Sequence, residues 1–213
     1  MHVDPKVLPI VERIKSERPT IVVVPHTSNF DLMGIGLHMM GIRFQILSVP
    51  NPNRSYQKQN DLRRKLGLEI TPISIESFRQ AKNRIKMGGS VLTGVDRPIK
   101  ELTYEKYRPR FFGYPAPLPV FHIRLALELN IPICVLACVR KSEHIYSLVG
   151  SDLIYPTPKK NLYEEIVSYA EVVLQAAEKI ILTYSNQWSM FFPIWDEKDI
   201  IQQLTDKNKE VVT

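Results

Sequence analysis

The sequence predicts an α/β fold in a single domain, with a mixed and mostly parallel β-sheet flanked by helices, and three observations predict it. Short runs of β-branched and aliphatic residues alternate along the chain with longer segments of helical periodicity, the rhythm that parallel strands with helical crossovers produce. One pair of apolar runs, Ile131 to Val139 and His144 to Gly150, reads as a hairpin, which makes the sheet mixed. The 213 residues are 44% hydrophobic and 23% charged, values of a globular chain of one-domain size, which excludes disordered and low-complexity architectures.

Each element has its own reason. Residues 5–17 set Val7, Leu8, Ile10, Val11 and Ile14 at helical spacing, with Pro5 suited to a first turn. TIVVVP (20–25) is a β-branched run bounded by prolines, too short for a helix, and reads as a buried strand. DLMGIGLHMMG (31–41), capped by Ser28 or Asn29, reads as a buried helix stopped by Gly41. RFQILSV (43–49) is a strand ended by Pro50 and Pro52. A polar, basic helix over 54–66 ends at Gly67 and is followed by a strand at 69–73. A second basic helix over 77–87 stops at Gly88 and Gly89 before the strand 90–95. Residues 110–114 form a further strand, and 120–129 a helix with Ile123, Ala126 and Leu127 inward. The strongest helical pattern is 162–184, with Leu162, Ile166, Ala170, Val173, Leu174, Ala177 and Ile181 on one stripe. The domain is expected over 1–195, with a polar tail at 196–213 that frays.

Composition narrows the function classes. Two cysteines exclude a disulfide framework and a four-cysteine zinc site, and agree with a reducing compartment. Cys134 and Cys138 fall on one face of a predicted strand and read as core. No apolar stretch approaches the ~20 residues of a spanning helix, and the amino-terminal segment lacks the apolar core of a signal peptide. The expected location is cytoplasmic and peripheral. The net charge of +6 is regional, since residues 43–110 hold fifteen Lys+Arg against six Asp+Glu. Such a surplus favours nucleic acid, anionic lipid headgroups or a phosphorylated cofactor such as coenzyme A, and two solvated helices are the structural alternative. His38, His122 and His144 lack metal-ligand spacing, so no metal site is expected. MGGS fits neither phosphate-binding glycine pattern, and Tyr56, Phe78, Tyr104 and Tyr107 follow no RNA-recognition signature.

The segment with chemistry in it is PHTSNFD (25–31). An apolar strand ends and presents His26, with Asp31 five residues on, at the strand end where α/β sheets bind ligands. A carboxylate near the helix start that accepts the Nδ1 proton leaves Nε2 free as a general base, with a substrate hydroxyl as the nucleophile. The spacing alone is a weak signal and favours a capping or surface role.

HTSNFD resembles the His-x4-Asp motif of the lysophospholipid acyltransferase superfamily. VLTGVDRP (91–98) is similar to the segment in which the bacterial lipid A lauroyl/myristoyl and phosphatidylinositol mannoside acyltransferases carry an acidic residue followed by Gln or Arg. RFFGYPAPLPVFHIRLALELNIPICVLACV (110–139) resembles their Phe-Phe-Gly, helix and strand block, and NQWSMFFPIW (186–195) their closing aromatic segment. The resemblance implies a glycerolipid acyltransferase-like fold and an O-acyltransferase that moves a fatty acyl chain from acyl-CoA or acyl carrier protein to a hydroxyl of a membrane lipid or glycolipid. It implies His26 as general base, Asp31 as its orienting partner, Asp96 and Arg97 holding the acceptor, and Arg63 or Arg64 pairing with phosphate. No cofactor and no nucleic acid are expected, and an anionic membrane surface is the expected partner.

Three departures stand out. The family's Gly-Pro pair is replaced by Phe121-His122, the second proline of the strand block is missing from ICVLACV, and the amino-terminal membrane helix common in the lipid A enzymes is not expected from this sequence. Attachment then falls to the basic surface and an apolar rim, drawn from Met33, Leu37, Met39 and Met40 or from Trp188, Phe191, Phe192 and Trp195; core packing is the alternative for both sets. Two other functions fit the same residues. One is a non-catalytic basic module that binds anionic lipid or nucleic acid, and the other is an acyl thioesterase using the His/Asp pair on water.

Overall fold

A computed structural model describes residues 1–27, 30–99, 107–157, 161–198 and 200–201. The first half alternates strand and helix: β1 (His2–Val3), α1 (Leu8–Lys15), β2 (Ile21–Val24), α2 (Phe30–Met39), β3 (Phe44–Ser48), α3 (Arg54–Lys65), β4 (Glu69–Pro72), α4 (Ile75–Lys86) and β5 (Ser90–Gly94). The second half adds β6 (Arg110–Phe111), β7 (Tyr114–Pro115), α5 (Phe121–Leu129), β8 (Ile133–Arg140), β9 (Tyr146–Gly150) and α6 (Leu162–Thr183).

One seven-stranded sheet runs in the order β1-β9-β8-β2-β5-β3-β4. β2 pairs in parallel with β5 and β8, and β3 with β4 and β5, so the carboxyl ends of these five strands share one edge. β9 returns antiparallel to β8, which makes the sheet mixed as expected. The strands of the centre read as unbroken apolar runs because helices cover both faces. On one face α1 and α2 pack on Val22, Val24, Cys134 and Cys138. On the other, α4, α5 and α6 pack on Val23, Val91, Val135 and Ala137. Both cysteines are free and buried, and burial pushes their thiols up to about 12 and about 11, which leaves them as inert core.

Several boundaries differ from expectation for local reasons. The strand expected at 110–114 is a separate two-stranded hairpin, β6 against β7, closed by Phe112 and Gly113 at φ of 51° and 80°. β1 is too short to leave a pattern and is held by pairing with β9. α4 begins earlier than expected because Ser74 and Ser77 form a capping box. Met39 stands exposed at the end of α2, and Leu162 opens α6 in solvent, while the rest of the α6 stripe is buried. The expected Ser28 or Asn29 cap and most of the tail lie outside the described residues.

His122, on α5, is fully buried, and neither ring nitrogen has a hydrogen-bond partner among the described residues. Burial lowers its pKa to about 4. The folded state therefore keeps the ring neutral while the unfolded chain takes up a proton below its ordinary value of about 6.5. Stability is expected to be unaffected by this group above about pH 6.5 and to fall by about 3 kcal/mol as the pH drops towards 4. Urea unfolding at neutral and acid pH checks it: His122→Leu flattens this part of the acid dependence, and an unchanged profile contradicts it.

Candidate functional site

The site starts from strand register. Val24 lies opposite Gly94 in the β2/β5 pair, and two residues beyond each strand end the chain reaches His26 and Asp96. The pairing that aligns the strands thus sets these side chains side by side. Nδ1 of His26 is 2.6 Å from Oδ1 of Asp96, and the His26 backbone N–H donates to Oδ2 at 3.0 Å. Gly94 makes room for the ring, since a Cβ there would stand 3.1 Å from the Cε1 of His26.

Asp96 is fully buried, a costly position for a carboxylate unless its oxygens are saturated with donors. A third donor completes the set: the indole Nε1–H of Trp188 donates to Oδ2 at 2.8 Å. The segment carrying Trp188 is fixed against the histidine turn by a Thr27/Trp188 antiparallel bridge and by a bond from the Ser189 N–H to the His26 carbonyl at 2.7 Å. Thr27 anchors the turn from below by donating its hydroxyl to the Cys138 carbonyl at 3.1 Å. Because a carboxylate only accepts, the proton between the pair is assigned to Nδ1, and in the neutral ring this leaves the Nε2 lone pair free. The His26 side chain keeps 20% exposure, against none for Asp96.

Asp31 has a different partner from the one expected. It sits in the first turn of α2, where its carboxylate takes two hydrogen bonds from Arg63, Nε at 2.7 Å and Nη2 at 3.2 Å. No hydrogen bond joins it to His26 among the described residues. Arg63 also donates to Asn60 at 2.8 Å, and its guanidinium lies over the rings of Phe30 and Tyr56. Burial works against its charge, yet the hydrogen bond and the negative charge of Asp31 outweigh that and raise its pKa, so it stays cationic. The pair clamps α2 to α3. Arg64 bonds the Ile70 carbonyl and Asp61.

Arg97 is different. Its guanidinium stands 3.9 Å from the Phe192 ring centroid and 5.7 Å from that of Tyr56, and it forms no ion pair among the described residues. Elsewhere several basic residues pair locally: Arg79 with Glu76, Lys82 with Glu128, Arg84 with Glu69 and Arg108 with Asp196.

A narrow apolar slot of about 80 Å³ opens beside His26. Asp31, Tyr56 and Arg63 stand in its polar part, while Met33, Ile46, Leu68, Ile70 and Leu92 line the rest. Phe121 and His122 do not line it; they pack in the core face away from α2. Of the residues expected at the site, His26 and Asp96 are in direct contact, Asp31 and Arg63 share the slot with His26, Arg97 is near Tyr56, and Arg64 points away. Trp188 was expected only as rim or core. Its role in holding Asp96 carries no local sequence signal beyond its place in the closing aromatic block, and its ring also packs on Phe111 and Phe112. Among the described residues no cluster of His, Cys, Asp or Glu is placed to hold a metal, and no helix is long and apolar enough to cross a membrane.

Comparisons with known proteins place the chain in a family. Residues 8–197 match the family described as bacterial lipid A biosynthesis acyltransferase. Two proteins named phosphatidylinositol mannoside acyltransferase, from Mycobacterium tuberculosis strains ATCC 25618 / H37Rv and CDC 1551 / Oshkosh, are each 27% identical over 122 residues. That alignment covers 55% of this chain and 38% of each relative, so the chain matches well under half of their length. A family match that takes in every strand of the sheet except the short β1, together with the His26 turn, Asp96 and Trp188, shows that the chain belongs to the bacterial lipid A biosynthesis acyltransferase family.

Proposed function

We propose that the protein transfers a fatty acyl chain from a thioester donor, acyl-CoA or acyl carrier protein, to a hydroxyl of a membrane lipid or glycolipid. The observation that carries this reading is a histidine held by a buried, fully hydrogen-bonded carboxylate at the mouth of an apolar slot. A glycolipid acceptor is favoured by the name of the mycobacterial relatives.

In this mechanism Nε2 of His26 removes the proton from the acceptor hydroxyl as its oxygen attacks the thioester carbonyl carbon. Asp96 keeps the imidazole in the tautomer with Nδ1–H and stabilises the imidazolium that forms. Collapse of the tetrahedral intermediate breaks the C–S bond, and His26 returns the proton to the leaving thiolate. The ester and the free thiol are the products, and every proton is accounted for. Trp188 and the His26 backbone N–H hold Asp96 as the buried anion this cycle needs. Arg97, near Tyr56 and with no ion pair among the described residues, suits a phosphate on the acceptor.

The slot has room for the first few carbons of the acyl chain. Its inner wall is Gly34, Ile46 and Leu68, and the same three residues border a second cavity of about 220 Å³ beyond. A Cβ on Gly34 would stand 3.2 Å from Leu68 Cδ1, so α2 and Leu68 meet closely there. Purified protein given a series of labelled acyl-CoA and acyl carrier protein donors with a bacterial lipid extract should label a lipid. Leu68→Ala should shift the preferred donor to longer chains by joining the two cavities. Absence of labelled lipid from every donor, with folding confirmed, overturns the proposed function.

A further inference from the structure

Phe191 and Phe192 follow the Trp188 segment that braces the candidate site, and they are 88% and 50% exposed. Adjacent aromatic residues left in water at the tip of a surface segment carry a free-energy penalty that burial in an apolar medium removes. Their neighbours carry positive charge. Arg97 lies under the ring of Phe192 and also faces Tyr56 in the first turn of α3. Exposed Arg54 and Lys58 lie two residues either side of Tyr56 along that helix, and neither forms an ion pair among the described residues.

We infer that Phe191 and Phe192 form a wedge that inserts into the surface of an anionic bilayer, with Arg97, Arg54 and Lys58 on the lipid phosphates around it. Charge complementarity selects this occupant: Arg97 stands against the exposed aromatic pair and the adjoining helix carries exposed Arg54 and Lys58, none of the three ion-paired among the described residues, the pattern of an interfacial membrane anchor. Continuity with the site supports it. Tyr56 lines both the slot beside His26 and the adjoining cavity of about 250 Å³ that holds Arg97, so a chain drawn from the bilayer at this edge has a short path to the histidine. The usefulness of such docking rests on the acyl-transfer reading, but the docking itself needs no turnover.

The test is sedimentation with vesicles of phosphatidylglycerol and phosphatidylcholine in equal parts, against vesicles of phosphatidylcholine alone. The wild-type chain should bind the anionic vesicles, and binding should weaken in high salt. Each aromatic removed, in Phe191→Ser and in Phe191→Ser/Phe192→Ser, should lower partition about tenfold or more. Lys58→Gln should lower it about fivefold. Met87→Ser, at an exposed apolar residue past the far end of α4, should change nothing. Phe191→Ser is the safer variant because its side chain is almost wholly in solvent. His26→Ala should bind as the wild type does, so a failed acyl-transfer reading and a failed docking surface give different results. No binding to anionic vesicles, equal binding to neutral ones, binding indifferent to Phe191, or capture only by an acidic protein such as acyl carrier protein overturns the inference.

Discussion

Replacing Asp96 by Asn should lower acyl transfer on the order of 1,000-fold or more with the fold retained. Three donors converge on this buried carboxylate: the His26 ring, the His26 backbone and the Trp188 indole. An amide of the same shape can turn its NH₂ towards Nδ1. That places the imidazole proton on Nε2, where the acceptor hydroxyl has to lose its own. The loss should fall on kcat, because the interaction is needed when charge develops on the ring. Asp31→Asn is the contrast. It loosens a clamp between α2 and α3 and should cost about tenfold or less, by analogy with a partly exposed ion pair. Steady-state assays of the two variants with one labelled donor decide between the carboxylates, and a larger loss for Asp31→Asn would reverse their assignments.

His26→Ala should lower kcat by about 100-fold or more, the range of a lost general base. KM for the acyl donor should change little, since the slot is lined mostly by residues from α2 and the sheet. His26 and Asp96 act as one unit in this account. The double variant His26→Ala/Asp96→Asn should therefore be no slower than the worse of the single ones. Additive losses would mean that Asp96 acts on the reaction by a route that bypasses the ring. Full activity in His26→Ala would remove the mechanism altogether.

The order of elements was legible because nearly every strand is a short aliphatic run between breakers, and nearly every helix has a one-sided stripe. The hairpin β8/β9 was legible for the same reason. β1 was not, since two residues carry no period, and the β6/β7 hairpin was mistaken for one strand because its turn residues Phe112 and Gly113 sit inside an aromatic run. At the site, His26 was legible as a polar residue delivered by an apolar strand. Its partner was not, because Asp31 is near in sequence while Asp96 is near in space. Seventy residues separate His26 from Asp96, and only the parallel register of β2 with β5 joins them. Arg63 is the complementary case. A guanidinium in a basic helix gave no sign that Asp31 would claim it, since that pairing depends on how α3 crosses α2.

The most direct test of the central claim is the hydrogen bond itself. In ¹⁵N-histidine-labelled protein, which has five histidines, the His26 signals are identified by their absence in His26→Ala. Nδ1 should carry a strongly hydrogen-bonded proton, a pattern lost in Asp96→Asn and kept in Asp31→Asn. A Nδ1–H signal that survives Asp96→Asn and disappears in Asp31→Asn would contradict it.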